Sequence, residues 1–536
     1  MTTNLNKNQV SFQQICRPPD AVTVVSHDTE VKLSPISANS YSNDDMTVSV
    51  NQSAGLTVQL SAPNCPVSRV RLRWHGNNSE LRLVLGDAWE RSYGDLHWSS
   101  IIPERNMPWY WMAWDGERTH GYGVQTRPAA FCSWQADSQG ITLWIDVRSG
   151  GLELHLGPRV ITLCTVVCRE GNASESAFES TRAFCQLMCL NPRIPDQPVY
   201  GHNDWYADYG NNSDASIRRQ CSKTVALAPD GHNRPFVVID AGWQPAAGTD
   251  GGPWDRGNEK FPDMPELARH IVDNGAKPGV WIRPLAASGD APTSSRLLRD
   301  PKMLDFTVPA VKQQVFDDIA RIHGWGYQLI KHDFTTFDIL GKWGFQMAAE
   351  VTDAGWGFAE GPVRTTVEII NDLYDTIREA AETSLLIGCN TVSHLSAGVF
   401  EMNRIGDDTS GHDWNRTRKM GINTLAFRAP QNGTFYIADA DCVGLTQHIP
   451  WDLNAQWLEL LSRSGTMTFV SMEMDAVGPE QEAALRKAYA LAAEPQPLAE
   501  PLDWMTTSCP AHWKHGSETR TYAWFEPAGA SLYVKP

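Results

Sequence analysis

Several short apolar stretches of the chain end in carboxylate and indole side chains. They are NDWY (203–206), IDAGW (239–243), IKHDF (330–334), RIGDD (404–408) and ADAD (438–441). Clustering buried carboxylates is unfavourable unless cations pair with them or they hydrogen-bond a polyol, and Lys331 and Arg404 are available for pairing. Two carboxylates on separate segments, one kept ionised by cations and the other able to hold a proton, are what glycosidic bond cleavage requires. The pattern therefore predicts carbohydrate chemistry.

The segments that carry these side chains are predicted to form a parallel barrel. Apolar stretches alternate with longer helical ones, which is typical of βα units. The eight strand candidates are 198–205, 235–241, 278–283, 327–333, 384–389, 402–406, 434–439 and 466–471. Eight such units predict a (β/α)8 barrel over residues 196–494, with its site at the carboxyl ends of the strands.

The clearest helix of the barrel region is predicted over residues 362–382. Its apolar residues step by three and four and therefore share one face: Val363, Val367, Ile370, Tyr374, Ile377 and Ala381. We expect that face to pack against the barrel.

Two further regions flank the predicted barrel. Residues 1–195 hold short alternating stretches, which predict an antiparallel β-sandwich: VRLRW (70–74), LRLVL (81–85), ITLWIDV (141–147) and LELHL (152–156). The proline-rich segment 190–201 is predicted to be a linker. Residues 495–536, with the strand-like stretches TRTYAWF and ASLYV, predict a small C-terminal β segment.

Composition excludes several classes of protein. The 536 residues carry a formal net charge of −17 with no basic run, which argues against nucleic acid and anionic membranes as partners. The start lacks a leader pattern, and no apolar stretch is long enough to span a membrane. Eleven cysteines without a CxxC pair favour a reducing, cytoplasmic setting. GxSxG, GxGxxG and P-loop motifs are absent from the sequence.

Together the strand-end motifs resemble the clan of retaining α-galactosidases, glycoside hydrolase families 27 and 36. The resemblance covers residues 197–475, and ERSYGDLHW (90–98) in the preceding sandwich is similar to family 36. It implies an enzyme, a retaining exo-glycosidase that needs no cofactor and acts on a glycoside or small oligosaccharide. The oligomeric state stays open, and a homo-oligomer is one possibility.

The resemblance assigns the two catalytic groups. IKHDF matches a Lys-x-Asp motif, which makes Asp333 the nucleophile and Lys331 a ligand of sugar hydroxyls. An adjacent ammonium favours the ionised nucleophile. Arg404 and Asp408 match an Arg followed four residues later by the acid/base, with the neighbouring Asp407 as the alternative.

The same resemblance implies a set of substrate-binding residues. Trp205 is expected to stack on the sugar ring, and Asp240 matches the first member of an acidic pair. Cys389 and Asn390 are expected as wall residues, and Asp441 as a supporting carboxylate. The remaining substrate-binding predictions are Trp243, Trp281 and Arg404.

Ala241 departs from the pattern, because the family has the second carboxylate of its acidic pair there. In the family this pair holds the O4 and O6 hydroxyls. We expect either a replacement, from Asp204 or the Trp-rich segment 109–114, or a sugar without the hydroxymethyl group, such as β-L-arabinopyranose. N-acetylated and 6-deoxy sugars are further alternatives.

Two rivals belong to other functional classes. A metal-dependent barrel hydrolase would gather His332, Asp333, Asp408 and His412 around a divalent ion, although the chain has no HxH or HExxH motif. A sugar-binding protein that lost catalysis would have no use for both Asp333 and Asp408. Neither the aglycone nor the choice between hydrolysis and transglycosylation follows from the sequence.

Overall fold

The computed structural model describes residues 12–246 and 251–533, and the chain forms two compact units. The first unit comprises the chain up to Ala88 together with Trp98–Leu190 and Gly361–Glu368. The second comprises Trp89–His97, Asn191–Glu360 and the chain from Ile369 onward. The segment 89–97 thus belongs with the second unit, whereas the sequence had placed it in the sandwich. The predicted domain boundaries near 195 and 494 stay predictions.

The first unit is an antiparallel β-sandwich, as predicted. Its strands are Ala21–Ser26 (β1), Thr29–Ser37 (β2), Ser40–Ser42 (β3), Thr47–Gln52 (β4), Leu56–Ser61 (β5), Arg69–His75 (β6), Leu83–Gly86 (β7), Met107–Pro108 (β8), Tyr110–Trp114 (β9), Thr119–Val124 (β10), Phe131–Asp137 (β11), Gly140–Asp146 (β12) and Val160–Arg169 (β13). They are joined in the order β7-β9-β10-β13-β5-β4-β3-β2-β1-β6-β12-β11-β8. β2 pairs first with β1 and then with β3, and its pairing with β3 contains a register shift between Pro35 and Ser37.

One predicted strand of this unit is wrong. LELHL (152–156) forms no strand and makes only isolated bridges, including Val67 with Leu154. Alternation over so few residues predicts which side chains are buried better than it predicts backbone pairing. This unit also contains the helix Ala177–Met188 (α1), which packs on β10 and β13. The helix begins with a capping box between Ser176 and Glu179.

The second unit contains the barrel, and all eight predicted strands are confirmed. The strands are Tyr200–Asn203 (β14), Phe236–Ile239 (β15), Lys277–Ile282 (β16), Leu329–His332 (β17), Leu385–Gly388 (β18), Met402–Arg404 (β19), Ile437–Asp439 (β20), Val443–Leu445 (β21) and Thr468–Met472 (β22). They pair in parallel in the order β20-β19-β18-β17-β16-β15-β14-β22-β21. Buried side chains that include Val238, Leu329, Met402 and Phe469 form a hydrophobic cluster in this unit.

The seventh barrel strand is divided in two, which the sequence did not reveal. β20 pairs with β19, and β21 pairs with β22, so the barrel closes through the three residues between them. Asp441 lies in this gap with a φ of 72°. Left-handed backbone is unfavourable for residues other than glycine, although Asp tolerates it better than most. The strain falls on a residue at the mouth of the barrel.

Helices connect the barrel strands. They are Trp205–Asp208 (α2), Asp214–Leu227 (α3), Met264–Asp273 (α4), Pro309–Gly324 (α5), Thr335–Leu340 (α6), Gly344–Met347 (α7), Thr366–Ala380 (α8), Ser393–Ser396 (α9), Trp414–Thr417 (α10), Thr424–Arg428 (α11), Trp451–Ser462 (α12) and Pro479–Ala492 (α13), with a π-helical turn at Arg418–Asn423 and 3₁₀ turns at Thr293–Ser295, Ala429–Gln431 and Met474–Ala476. Across the described residues, none of these helices has the length and apolar character needed to cross a membrane.

The predicted helix 362–382 is present but begins later. Thr365 and Glu368 form reciprocal side chain to backbone hydrogen bonds of 3.0 and 2.9 Å, a capping box that starts α8 at Thr366. Val363, assigned to the buried face, therefore precedes the helix and is 47% exposed. Val367, Ile370, Tyr374 and Ile377 are buried, as the periodicity predicted.

The C-terminal residues of the second unit form a small sheet of Glu500–Pro501 (β23), His512–His515 (β24) and Glu518–Thr521 (β25). The predicted strand TRTYAWF is confirmed in its first part only. The stretch ASLYV forms no strand over residues 530–533, and Val534 lies outside the described residues.

Candidate active site

A cavity of about 380 Å³ lies at the carboxyl ends of the barrel strands, wholly within the second unit. Small-molecule sites typically measure roughly 300–1,000 Å³, so this cavity suits one small ligand. Its lining is Arg91, Tyr93, Trp205, Asp240, Ala241, Trp281, Lys331, Asp333, Phe334, Trp343, Phe345, Asp407, Asp408 and Arg416. Six of the predicted site residues are among them: Trp205, Asp240, Trp281, Lys331, Asp333 and Asp408.

Asp333 follows β17, and three N–H groups orient its carboxylate. Oδ1 accepts from the backbone N–H groups of Phe334 at 2.7 Å and Asn390 at 3.1 Å, and Oδ2 accepts from Trp281 Nε1 at 3.2 Å. Phe334 has a φ of 63°, a strained value for an aromatic residue. The turn thus aims a carboxylate at the cavity with its rotation restricted, which suits a nucleophile.

Two adjacent carboxylates on the loop after β19 differ in their surroundings. Asp407 is held on both sides, by Arg91 Nη2 at 2.7 Å and Arg416 Nη2 at 2.8 Å, and its side chain is 16% exposed. Asp408 accepts from Arg404 Nη1 at 2.9 Å, lies 3.7 Å from Arg91 Nη1, and is 40% exposed. Asp408 is therefore the more accessible carboxylate of the two.

Opposing effects act on the acidity of Asp408. Burial opposes its ionisation, but the positive charges of Arg404, Arg91, Lys331 and Arg416 outweigh burial and lower its pKa. The sequence predicted cations beside Asp333 and a second carboxylate able to hold a proton, whereas the cations surround Asp408 and Lys331 pairs with Asp240. Removal of any one of these cations should raise the pKa of Asp408.

Lys331 and Asp240 form an ion pair in the cavity wall. Lys331 Nζ lies 2.7 Å from Asp240 Oδ2, which also accepts from Asn203 Nδ2 at 2.9 Å. Burial alone would lower the pKa of Lys331, but Asp240 reverses this effect and raises it well above its usual value. A fixed ammonium beside a fixed carboxylate offers a donor and an acceptor to vicinal hydroxyls.

Asp204, a candidate replacement for the missing acid at 241, does not reach the cavity. It is fully buried, and its oxygens accept from the backbone N–H of Asp240 at 2.6 Å and from Asn212 Nδ2 at 2.7 Å. Burial raises its pKa to about 8, with the Asp240 charge acting in the same direction. Asp204 therefore supports the backbone under Asp240. The other candidate, segment 109–114, belongs to the first unit.

Five predicted substrate-binding residues do not line the cavity but lie around it: Trp243, Cys389, Asn390, Arg404 and Asp441. The resemblance assigned these residues from motifs near the predicted strand ends, with Asp441 as a supporting carboxylate, and a strand end also supplies the layer beneath the cavity surface. The backbone N–H of Asn390 donates to Asp333, as described above. Burial raises the pKa of the Cys389 thiol well above its usual range.

The other three buried residues brace the groups above them. Trp243 Nε1 donates to the carbonyl of Trp281 at 2.8 Å. Arg404 pairs with Asp408, with Asp439 at 3.0 Å and with Asp441 at 2.8 Å. Asp441 also accepts from the Tyr206 hydroxyl. Trp243, Arg404 and Asp441 thus hold residues of the cavity wall from beneath through these contacts.

Sequence reasoning missed the contribution of segment 89–97. Ser92 N–H donates to the carbonyl of Ile405 at 2.9 Å, and Asp407 N–H donates to the carbonyl of Ser92 at 2.9 Å. The segment thus extends the end of β19 and brings Arg91 and Tyr93 into the cavity wall. The motif ERSYGDLHW was the one sequence feature that could have drawn attention to this segment. The sequence does not show that it pairs with Ile405 and Asp407, more than 300 positions later.

The aromatic residues 343 and 345 and the cation Arg416 were also missed. Trp343 and Phe345 flank the start of α7 in the short stretch KWGF, which has no helical or strand periodicity. An aromatic pair shortly after β17 was the only local signal.

The donor set of the rival metal site is not assembled. His332 is fully buried and contacts the rings of Tyr374 and Phe400, and burial lowers its pKa to about 3. His412 stacks on Tyr209 with ring centroids 4.8 Å apart. No group of three His, Cys, Asp or Glu side chains suited to a metal ion occurs in residues 12–246 and 251–533.

No family model matches the chain, but solved structures share its fold. The α-galactosidase TtGalA from Thermus thermophilus, in complex with p-nitrophenyl α-D-galactopyranoside, is similar with a TM-score of 0.61 and 16% identity, over 94% of this chain and 99% of that one. The α-galactosidase AgaB from Geobacillus stearothermophilus, of glycoside hydrolase family 36, gives 0.58 and 11%, over 88% and 74%. The α-galactosidase from Lactobacillus brevis gives 0.56 and 13%, over 88% and 72%.

The similarity to these proteins is one of three-dimensional structure. The resemblance that the strand-end motifs predicted is confirmed at that level: the chain has the fold of the family 36 α-galactosidases.

Proposed function

We propose that the chain is a retaining exo-glycosidase that hydrolyses a terminal α-galactoside, with Asp333 as nucleophile and Asp408 as acid/base. The observation that carries the proposal is the cavity itself. One oriented carboxylate and one accessible carboxylate surrounded by cations line the same small space, beside a Lys–Asp pair that suits hydroxyl groups. TtGalA, which has a similar fold, has been solved in complex with p-nitrophenyl α-D-galactopyranoside and with stachyose.

The reaction proceeds in two displacements. Asp333 attacks the anomeric carbon while Asp408 donates a proton to the departing oxygen, which leaves a glycosyl ester on Asp333. Asp408 then removes a proton from water, the water oxygen attacks the anomeric carbon, and Asp333 leaves as a carboxylate. Two inversions retain the configuration.

The remaining lining residues hold the sugar in this scheme. Asp240 and Lys331 bind hydroxyls on the edge of the ring, and Trp205 and Trp281 cover its faces. Tyr93, Trp343 and Phe345 lie beyond the acid/base side of the cavity.

The direct test is hydrolysis of an aryl α-D-galactopyranoside followed by proton NMR. We expect α-galactose to appear first and to mutarotate later. Release of β-galactose would contradict a retaining mechanism, and no turnover on any member of an aryl glycoside panel would favour the sugar-binding alternative. Metal analysis of the active protein tests the remaining rival, which requires a stoichiometric ion.

The pH dependence should respond to Arg91. As the acid, Asp408 must be protonated, so kcat/KM falls as pH rises through its pKa. Arg91→Gln removes a cation that lowers this pKa, and we expect the alkaline limb of the kcat/KM profile to move to higher pH. Arg91→Lys keeps the charge and should move it less. An alkaline limb that stays in place or moves to lower pH would contradict the assignment.

A β-L-arabinopyranoside is the second candidate substrate, and Ala241 favours it. Ala241 lines the cavity where the family's second carboxylate holds O4 and O6, and Asp204 does not replace that carboxylate. β-L-Arabinopyranose has the ring geometry of α-D-galactopyranose without C6, so it requires no partner at that corner.

Ala241→Asp should shift selectivity towards galactose. We expect the ratio of kcat/KM for aryl α-D-galactopyranoside over aryl β-L-arabinopyranoside to rise about tenfold to a hundredfold, because a charged hydrogen bond to a hydroxyl is worth about 1.5–3 kcal/mol. Ala241→Asn is the matched control for size without charge. An unchanged ratio in Ala241→Asp would mean that position 241 does not contact C6, and a wild-type preference for the arabinopyranoside would establish the second candidate.

A cytoplasmic location is part of the same proposal. All eleven cysteines are free thiols, which suits a reducing compartment. The proposed partners are small glycosides or oligosaccharides, with no nucleic acid or membrane among them. Fractionation of cells that express the chain with its native start tests the location.

A further inference from the structure

Three aromatic side chains form an apolar rim on the cavity: Tyr93, Trp343 and Phe345, here called the aromatic rim. Phe345 is 59% exposed and contacts Tyr93 edge to face, with ring centroids 4.8 Å apart. A phenyl ring left largely in water forgoes the favourable free energy of burial. Isolated exposed rings are common, but this one lines the same cavity as Asp333 and Asp408.

The aromatic rim is held rigidly. Trp343 stacks on Phe337 with ring centroids 4.4 Å apart, and the backbone N–H of Gly344 donates to Glu90 Oε1 at 2.9 Å. A Cβ at position 344 would lie 2.4 Å from Glu90 Cγ, so this close approach requires glycine. Because the backbone is fixed between Trp343 and Phe345, binding at the aromatic rim would not first have to order it.

The aromatic rim lies on the acid/base side of the cavity. Arg91 connects the two: its guanidinium lies 3.7 Å from Asp408, and also 5.4 Å from the ring centre of Trp343 and 5.8 Å from that of Tyr93. Asp240 and Lys331 pair separately from this group. In a glycosidase the departing group leaves from the side of the acid, so the aromatic rim borders the path of the aglycone.

We propose that the aromatic rim is the aglycone subsite and that it selects glycosides whose departing group carries a flat ring with an apolar face. An aryl ring or the apolar face of a second pyranose has this chemistry. The proposal rests on the proposed function, because it assigns the sugar to the Asp240 side and the departing group to the Asp408 side. Of the three side chains of the aromatic rim, Phe345 is the most exposed and therefore offers the departing group the largest contact area.

The test compares methyl and benzyl α-D-galactopyranosides, which release primary alcohols of similar acidity and differ in the ring. We expect wild type to show a higher kcat/KM for the benzyl glycoside, and Phe345→Ala to lower the benzyl-to-methyl ratio about three- to tenfold. A galactosyl-α-1,6-glucose disaccharide, also a primary alkyl glycoside, forms a third arm. A loss confined to the disaccharide would assign the aromatic rim to a pyranose.

Phe525→Ala is the matched control, because Phe525 is 48% exposed and lies outside the cavity lining. We expect its benzyl-to-methyl ratio to equal that of wild type. Equal kcat/KM for all three glycosides in wild type, or an equal loss for all three in Phe345→Ala, would overturn the proposal.

Binding separates this failure from failure of the proposed function. If no galactoside is cleaved, calorimetric Kd values for the methyl and benzyl glycosides still test the aromatic rim. Tighter binding of the benzyl glycoside that disappears in Phe345→Ala would support it without catalysis. Equal Kd values, or no binding of either glycoside, would overturn it.

Discussion

Asp333→Asn is expected to lower kcat by about 10⁴-fold or more on every substrate, because no nucleophile remains to form the glycosyl ester. The amide oxygen can still accept from the N–H groups of Phe334 and Asn390. The amide NH₂ would face Trp281 Nε1, so one hydrogen bond is lost. Kinetics on an aryl glycoside, with circular dichroism and Tm measured on the same preparation, check the prediction.

A mechanism-based inactivator provides the positive identification. A fluorosugar or cyclitol of galacto configuration should leave its label on the peptide that contains Asp333. Asp407→Asn is the matched control, since it removes a carboxylate from the same cavity and should leave the labelling in place. Near-wild-type kcat in Asp333→Asn, or a label on another peptide, would move the nucleophile elsewhere.

The barrel was predictable because its signals are local. Each strand is an apolar stretch between polar boundaries, and stretches such as those ending in Asp240 or Asp333 carry both the strand and its functional end. Parallel pairing then brings those ends together at one edge of the sheet, and this does not depend on the sequence of the loops. This explains why six predicted site residues meet in one cavity.

The division of the seventh strand was not predictable in the same way. The sequence predicted one strand over 434–439, whereas pairing resumes at Val443–Leu445 after a break that depends on a positive φ at Asp441. That conformation is stabilised by contacts from elsewhere, including the ion pair with Arg404 and hydrogen bonds from Thr409. Such contacts join distant parts of the chain and leave no periodicity behind.

The depth of a side chain below the cavity surface was also not predictable from the sequence. A residue at a strand end is near the mouth of the barrel, but the sequence does not say whether its side chain reaches the cavity or the layer below. Trp243 follows the predicted strand 235–241 and Trp281 lies inside the predicted strand 278–283, yet only Trp281 lines the cavity. Trp243 belongs to the turn after β15, and the apolar pattern does not encode the direction of that turn.

Replacement of Asp408 with Ala should slow turnover to an extent that depends on the leaving group. For a poor leaving group, loss of the general acid lowers kcat/KM by about 10²–10⁴-fold. A phenol of low pKa departs as the phenolate and needs almost no protonation. Comparison of alkyl with nitrophenyl glycosides measures this difference.

Azide should restore part of the activity of Asp408→Ala. The second displacement needs a base to activate water, but azide is anionic and attacks the glycosyl ester without one, so the product is a glycosyl azide of unchanged anomeric configuration. Asp407→Ala is the matched control, because its carboxylate is already held by Arg91 and Arg416. We expect that variant to lose activity evenly across leaving groups and to gain nothing from azide. If Asp407→Ala instead shows leaving-group dependence and azide rescue, Asp407 is the acid/base, and Asp408 is the carboxylate that holds the arginines.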